Sequence, residues 1–193
     1  MATDSKIYIS ADDLLLDSFR LARQILDSGW RPDALVALWR GGTPVGVAVH
    51  EFLSYHGVTP AHMALKCASY SGIGRRGEVR FEFADPALEA IRPGWRVLVV
   101  DDVFDSGCTA DALQRRLAVA KADVRIATAY WKPKNNATSL RPDYYVRTTD
   151  AWVVFPHELM GLTPDEVGRK SPAIRDLLTV PAHGAAAAPA ARP

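Results

Sequence analysis

Apolar residues recur at one-face helical spacing near the start of the chain, with Leu14, Ser18, Leu21 and Ile25 flanked by Leu15, Phe19, Ala22 and Leu26. Ser10, three residues before Asp13, predicts the N-cap of that helix, and Gly29 predicts its end. Residues 34–38 then form a short run with no polar member, the pattern of a strand covered on both faces. Thr43 and Pro44 predict the cap and first residue of a second helix reaching Tyr55 and closed by Gly57. Residues 62–68 predict the next strand. Residues 71–77 carry three glycines and predict an irregular, mobile loop. Residues 78–83 alternate strictly, with Val79, Phe81 and Phe83 on one face and charged residues on the other, as in a half-exposed strand. After a turn at Pro93-Gly94, residues 96–100 predict a buried strand, 109–121 a helix and 124–130 a further strand. Residues 144–146 and 152–155 are shorter strand candidates.

Strands alternating with helices at this spacing predict an α/β fold with a mainly parallel sheet flanked by helices. One domain is expected over residues 1–181, followed by a disordered tail over 182–193, where alanine and proline replace any periodic apolar face. In such sheets ligands bind outside the carboxyl ends of the strands. Two segments at those ends stand out, residues 39–42 and 101–109.

Composition narrows the chemistry mainly by exclusion. The chain has 193 residues and a net charge of +1, so no broad field draws it to nucleic acid or a membrane surface, and any anion must be held locally. Cys67 and Cys108 form neither a C-x-x-C pair nor a disulfide framework, and the five histidines show no metal-ligand spacing. The polar N-terminus does not read as a signal peptide and no apolar run approaches a membrane span, so the cytoplasm is the expected compartment.

Residues 97–109, VLVVDDVFDSGCT, carry the most chemical information. A hydrophobic strand delivers Asp101 and Asp102 to its end, then turns through Asp105, Ser106, Gly107, Cys108 and Thr109 into a helix. The second half suits a phosphate: Gly107 permits a tight turn, Ser106 and Thr109 supply hydroxyls, and the first N–H groups of a helix point at an anion. The first half repels a phosphate but suits hydroxyls or a metal ion. A ribose 5-phosphate satisfies both halves. Neither a G-x-x-x-x-G-K-[ST] loop nor a G-x-G-x-x-G fingerprint is present.

This stretch closely resembles the phosphoribosyl diphosphate signature of type I phosphoribosyltransferases, although Phe104, Ser106 and Cys108 stand where that family more often has smaller aliphatics, Thr and Gly. The resemblance implies that Asp101 and Asp102 bind the ribose hydroxyls directly or through Mg²⁺, and that residues 105–109 wrap the 5-phosphate. Trp39-Arg40-Gly41-Gly42 resembles the family's pyrophosphate loop, which often carries a non-proline cis peptide just before or at the arginine; the bulky Trp39 is a departure. Lys132, and the segment Trp152, Val153 to Glu158, resemble the base-binding hood of bacterial and archaeal xanthine-guanine and hypoxanthine enzymes, here spanning roughly residues 131–160. That likeness implies that Lys132 donates to the purine O6, that Trp152 stacks on the ring, and that the backbone near Val153, with Glu158, reads the C2 edge. His157 replaces an aromatic residue common there. Ser69, Tyr70, Arg75 and Arg76 fall where the family carries its flexible lid.

The activity so implied is transfer of ribose 5-phosphate from phosphoribosyl diphosphate to guanine, hypoxanthine or xanthine in purine salvage. Mg²⁺ is the expected cofactor, Asp105 the expected base accepting the N7 proton, and a homodimer or homotetramer the expected assembly. Two other readings differ in class. A non-catalytic regulator that kept the phosphoribosyl-binding fold should lose the base-site lysine and gain a basic face, whereas Lys132 is present and the chain is nearly neutral. An aspartate phosphohydrolase places its nucleophile after the first strand, whereas Asp101, Asp102 and Asp105 lie past mid-chain.

Overall fold

A computed structural model describes residues 6–72, 75–82 and 88–178, and for residues 67–82 the backbone alone. The chain divides into two compact units, residues 1–155 and 156–193.

The first unit is built on a six-stranded sheet. Its strands in chain order are β2 (Ala34–Trp39), β3 (Ala61–Gly72), β4 (Arg75–Glu82), β5 (Arg96–Phe104), β6 (Asp123–Trp131) and β7 (Tyr144–Thr148), and they lie side by side as β4-β3-β2-β5-β6-β7. All neighbours are parallel except β3 and β4. The expected mainly parallel α/β sheet is therefore present.

The unbroken apolar runs follow from burial on both faces. On one face Leu35, Ala37, Leu98 and Val100 pack with Leu21 and Ile25 of α1 (Ala11–Asp27) and Val45 and Val49 of α2 (Gly42–Tyr55). On the other, Val36, Leu38, Val97 and Val99 pack with Leu113 and Leu117 of α3 (Cys108–Ala118). Each fully buried valine, leucine or isoleucine contributes about 1.5–3 kcal/mol, so residues 34–38 of β2 and 97–100 of β5 carry no polar side chain. Asp17 of α1, fully buried, is held by Arg147 of β7 at 2.5 and 3.2 Å and by Arg20 at 2.8 Å.

A separate parallel pair joins β1 (Lys6–Tyr8) to β8 (Trp152–Val154), with Ile7 opposite Val153. The Ile9 N–H extends it by donating to the Val154 carbonyl at 3.0 Å, and the chain then enters α1 through Ser10, whose Oγ accepts from the Asp13 N–H as expected. Trp152 is thereby tied to the start of the chain.

The structure revises four boundaries. Helix α2 starts at Gly42 with Gly41 as its N-cap, so Thr43 is inside the helix rather than its cap. Strand β5 runs through the acidic pair to Phe104 instead of stopping at residue 100. Helix α3 ends at Ala118, followed by Lys121 in the left-handed region at φ 52°. Strands β3 and β4 extend through most of residues 71–77, with Ser71 opposite Arg76 and Gly72 opposite Arg75, where an irregular loop was expected. The antiparallel pairing has a register shift between Ser69 and Ser71. Ile73 and Gly74 lie outside the described residues, as does the alanine- and proline-rich tail.

The second unit contains α4 (Pro164–Lys170) and α5 (Pro172–Leu178), neither expected from periodicity. Thr163 and Glu166 close a reciprocal capping box at the start of α4. The Lys170 ammonium donates to the Glu158 carbonyl within this unit.

Candidate active site

The site grows from the carboxyl end of β5. Asp102 is buried at 6 % exposure and Asp101 is partly buried beside it. Asp101 Oδ1 accepts from the Asp102 N–H at 3.0 Å, and its carboxylate also accepts from the Gly42 N–H. Asp102 Oδ1 accepts from the Val103 N–H at 2.8 Å. Burial, then repulsion from the neighbouring Asp102 carboxylate, pushes the Asp101 carboxyl well above the usual carboxylate range.

Residues 39–42 pack directly on this pair. A Cβ added to Gly41 would fall 2.1 Å from Asp102 Oδ2, and one added to Gly42 would fall 2.3 Å from the Val100 carbonyl oxygen. Glycine is required at both positions because the loop backbone touches the acidic strand end. The Trp39–Arg40 peptide is cis, as the resemblance implied, and both side chains are exposed at the mouth of the site.

Beyond β5 the chain turns at Gly107, whose φ of +76° lies in the left-handed region, and enters α3 at Cys108. Ser106 Oγ accepts from the Cys108 N–H at 3.4 Å. Asp101, Asp105, Ser106, Gly107, Thr109 and Thr128 line one cavity beneath this turn. Ser106, Thr109 and Thr128 bring hydroxyls to its lining, at the N-terminal end of α3.

Lys132 follows β6 and is only 6 % exposed, unlike most strand-end lysines. Its Nζ lies 3.7 Å from Asp105 Oδ2 and 5.6 Å from the centre of the Trp152 ring. Trp152 is 55 % exposed, leaving its ring open to a stacking partner, whereas Val153 is buried. Asp101, Asp102, Asp105, Lys132 and the 39–42 loop thus converge on one strand end, with Trp152 at its edge.

Several residues at this centre carried no signal in the sequence. The sequence singled out nothing between residues 134 and 143, yet Asn135 Nδ2 donates to Asp105 Oδ1 at 2.7 Å and the Ala137 N–H donates to the Ser106 carbonyl at 2.9 Å. Thr138 and Asn136 close over Gly107, where a Cβ would come within 2.6 Å of Thr138 Oγ1. Thr128 is fully buried and its hydroxyl has no hydrogen-bond partner among the described residues. Alternation could have placed Thr128 on an inward face but not beside the turn at Gly107. Among the expected lid residues, Ser69 and Tyr70 belong to β3 and Arg75 and Arg76 to β4, and their side chains lie outside the described residues. Glu158 belongs to the second unit and is described with it.

The family model for the phosphoribosyl transferase domain matches residues 10–160. The chain belongs to that family. Among solved structures, a purine phosphoribosyltransferase from Pyrococcus horikoshii OT3 is 26 % identical, with a TM-score of 0.65 and coverage of 82 % of this chain and 97 % of that one. A protein from Neisseria gonorrhoeae, solved with bound ppGpp, is 28 % identical, with a TM-score of 0.69 and coverage of 90 % and 99 %. A hypoxanthine phosphoribosyltransferase from Staphylococcus aureus shares the fold at 17 % identity, with a TM-score of 0.61 and coverage of 72 % and 74 %. No curated protein sequence gives a significant match. No helix among the described residues is long and apolar enough to cross a membrane.

Proposed function

We propose that this phosphoribosyltransferase-family protein transfers ribose 5-phosphate from phosphoribosyl diphosphate to a 6-oxopurine base, yielding the nucleoside monophosphate and pyrophosphate. The observation that carries this reading is the cluster of Asp105, Lys132 and Trp152 beside the phosphate turn. A buried ammonium next to an open aromatic face supplies a hydrogen-bond donor and a stacking surface at one end of the site. The phosphate cradle and the acidic pair supply the other end. The guanine nucleotide bound by the similar Neisseria protein has the same 6-oxo group.

In this reading residues 105–109 hold the 5-phosphate, and Asp101 and Asp102 orient the ribose. Arg40 and the 39–42 loop, with the Gly41 amide, receive the pyrophosphate, where negative charge grows as the C1–oxygen bond breaks. Asp105, on the base side of the turn, accepts the proton from N7. Lys132 donates to O6, Trp152 stacks on the purine, and the backbone near Val153 reads the C2 edge. Ser69, Tyr70, Arg75 and Arg76 form a lid that excludes water from the cationic sugar.

The donor set also suits Mg²⁺. The described residues contain no group of three metal-ligating side chains, but Mg²⁺ commonly takes one or two carboxylates and completes its shell with substrate oxygens and water. Asp101 and Asp102 would hold it against the donor, where it would neutralise the leaving pyrophosphate.

The decisive test is product formation from phosphoribosyl diphosphate with a panel of bases. An ammonium group donates and cannot accept, so it matches O6 and opposes the 6-amino group of adenine. Sites of this kind reject a mismatched analogue by up to ~10⁴–10⁵. At least one 6-oxopurine is expected to be used well and adenine poorly, and Lys132→Ala should erase that preference while sparing donor binding. Efficient adenine turnover by the wild type, or an unchanged preference in the variant, defeats the assignment.

A further inference from the structure

We infer that Asn135 is a positioning residue for the reaction, acting through Asp105; the inference rests on Asp105 being the base. Asp105 is the most exposed of the three site aspartates, with half its side chain open to solvent. It lies on a turn, so its orientation has to be imposed by neighbours. One neighbour is Lys132, at 3.7 Å from Oδ2, which is longer than a good hydrogen bond. The other is Asn135, whose Nδ2 donates to Oδ1 at 2.7 Å. The short bond therefore holds one oxygen and leaves Oδ2 turned toward Lys132 and the base.

Asn135 is itself anchored. It closes the single 3₁₀ turn Pro133–Asn135, where its N–H donates to the Lys132 carbonyl at 3.2 Å. The Lys132 N–H donates to the Phe104 carbonyl at 2.9 Å and the Ala137 N–H to the Ser106 carbonyl at 2.9 Å. These backbone bonds bracket Asp105 on both sides. The amide of Asn135 is thus presented to the carboxylate by a frame that does not depend on the side-chain bond. A general base misplaced by even about 1 Å can lose ~10²-fold in rate, so a donor fixed in this way acts on the chemical step rather than on ligand affinity.

The test is single-turnover product formation, with donor and base affinities measured separately, for the wild type and for Asn135→Ala, Asn135→Asp and Asp105→Asn. Asn135→Ala is expected to slow the chemical step about tenfold, with affinities for phosphoribosyl diphosphate and base within about twofold of wild type. Asn135→Asp keeps the shape but sets a second carboxylate against Asp105, so its loss should exceed that of the alanine variant. Thermal unfolding should stay near wild type for both, because the framing bonds are backbone. Asp105→Asn should lose at least ~10²-fold. If Asp105→Asn is severely slowed while both Asn135 variants keep the wild-type rate, positioning by Asn135 is refuted and the base assignment stands. A loss confined to ligand affinity in the Asn135 variants also refutes it. Full activity in Asp105→Asn removes both readings together.

Discussion

Alanine at Gly42 and alanine at Gly41 should fail in different ways, and the difference tests how the site is assembled. A Cβ on Gly42 would sit 2.3 Å from the Val100 carbonyl oxygen and 2.9 Å from the Asp101 Cα. Ordinary contact begins near 3.4 Å, so the first approach is short by about 1 Å. Both obstructing atoms are backbone of β5, which is flanked by β2 and β6 and cannot swing aside. The loop must lift instead. Overpacking of this kind typically costs about 1–3 kcal/mol. Gly42 is also the first residue of α2, where alanine regains at most ~1 kcal/mol of helix propensity. Subtracting that gain in full leaves a net cost of up to about 2 kcal/mol, which for a chain of this length lowers Tm by as much as roughly 8 °C. At Gly41 the new Cβ would meet the Asp102 carboxylate, 2.1 Å from Oδ2 and 2.3 Å from Cγ. That obstacle is a side chain, which can rotate and give up its bond from the Val103 N–H. Gly41→Ala should thus lower Tm less than Gly42→Ala, yet reduce kcat/KM for phosphoribosyl diphosphate at least tenfold by displacing Asp102. Thermal unfolding and steady-state kinetics on both variants suffice. A Gly42→Ala protein unfolding at or above the wild-type temperature, or a Gly41→Ala protein with unchanged kcat/KM, would refute this packing argument.

The paired substitution Asp101→Asn with Asp102→Asn should abolish most turnover or donor binding, since hydrogen bonds to charged groups are worth about 1.5–3 kcal/mol each. The fold should survive, because burial already opposes the charge on Asp101 and asparagine keeps an acceptor for the Gly42 N–H; near wild-type turnover and affinity would disprove the ribose assignment. Thr128→Val should raise Tm by a few degrees, because it replaces a fully buried, unpaired hydroxyl by a methyl of similar shape. A lowered Tm would show that the hydroxyl has a partner. Amide exchange across residues 69–72 and 75–77 should slow when donor and base are added together, and equal exchange with and without them would remove the lid proposal.

The strands β2 and β5 were legible because each is sealed on both faces, which leaves a continuous apolar run in the sequence. The acidic strand end and the turn at Gly107 were legible because one stretch of thirteen residues carries them, in an order that no packing constraint requires. Residues 71–72 and 75–77 were misread because the glycines among them suggest irregular backbone locally, whereas their pairing is set by the opposite strand. The start of α2 was misplaced for a related reason. Thr43-Pro44 is a good local helix opening, but the contact of Gly42 with β5 starts the helix earlier. Asn135 was invisible because its partner lies thirty residues away and its own neighbourhood is an ordinary polar turn.

The charge balance of the site has its origin in sheet order rather than in any single motif. The stretch around β5 carries Asp101, Asp102 and Asp105, three acidic groups where the proposed anionic donor would bind. The compensating cations come from the two strands that flank β5. On one side β2 ends at Trp39, and Arg40 follows it across the cis peptide. On the other, β6 keeps pace with β5 to the last pair, Phe104 opposite Trp131, so the next residues along the two chains are Asp105 and Lys132. Parallel pairing makes all three strands end at the same edge. A one-residue slip of β6 would turn its alternate side chains to the other face and separate the lysine from the aspartate. The same register that seals Ile126 and Ala127 into opposite cores therefore sets the base-side cation beside the proposed proton acceptor.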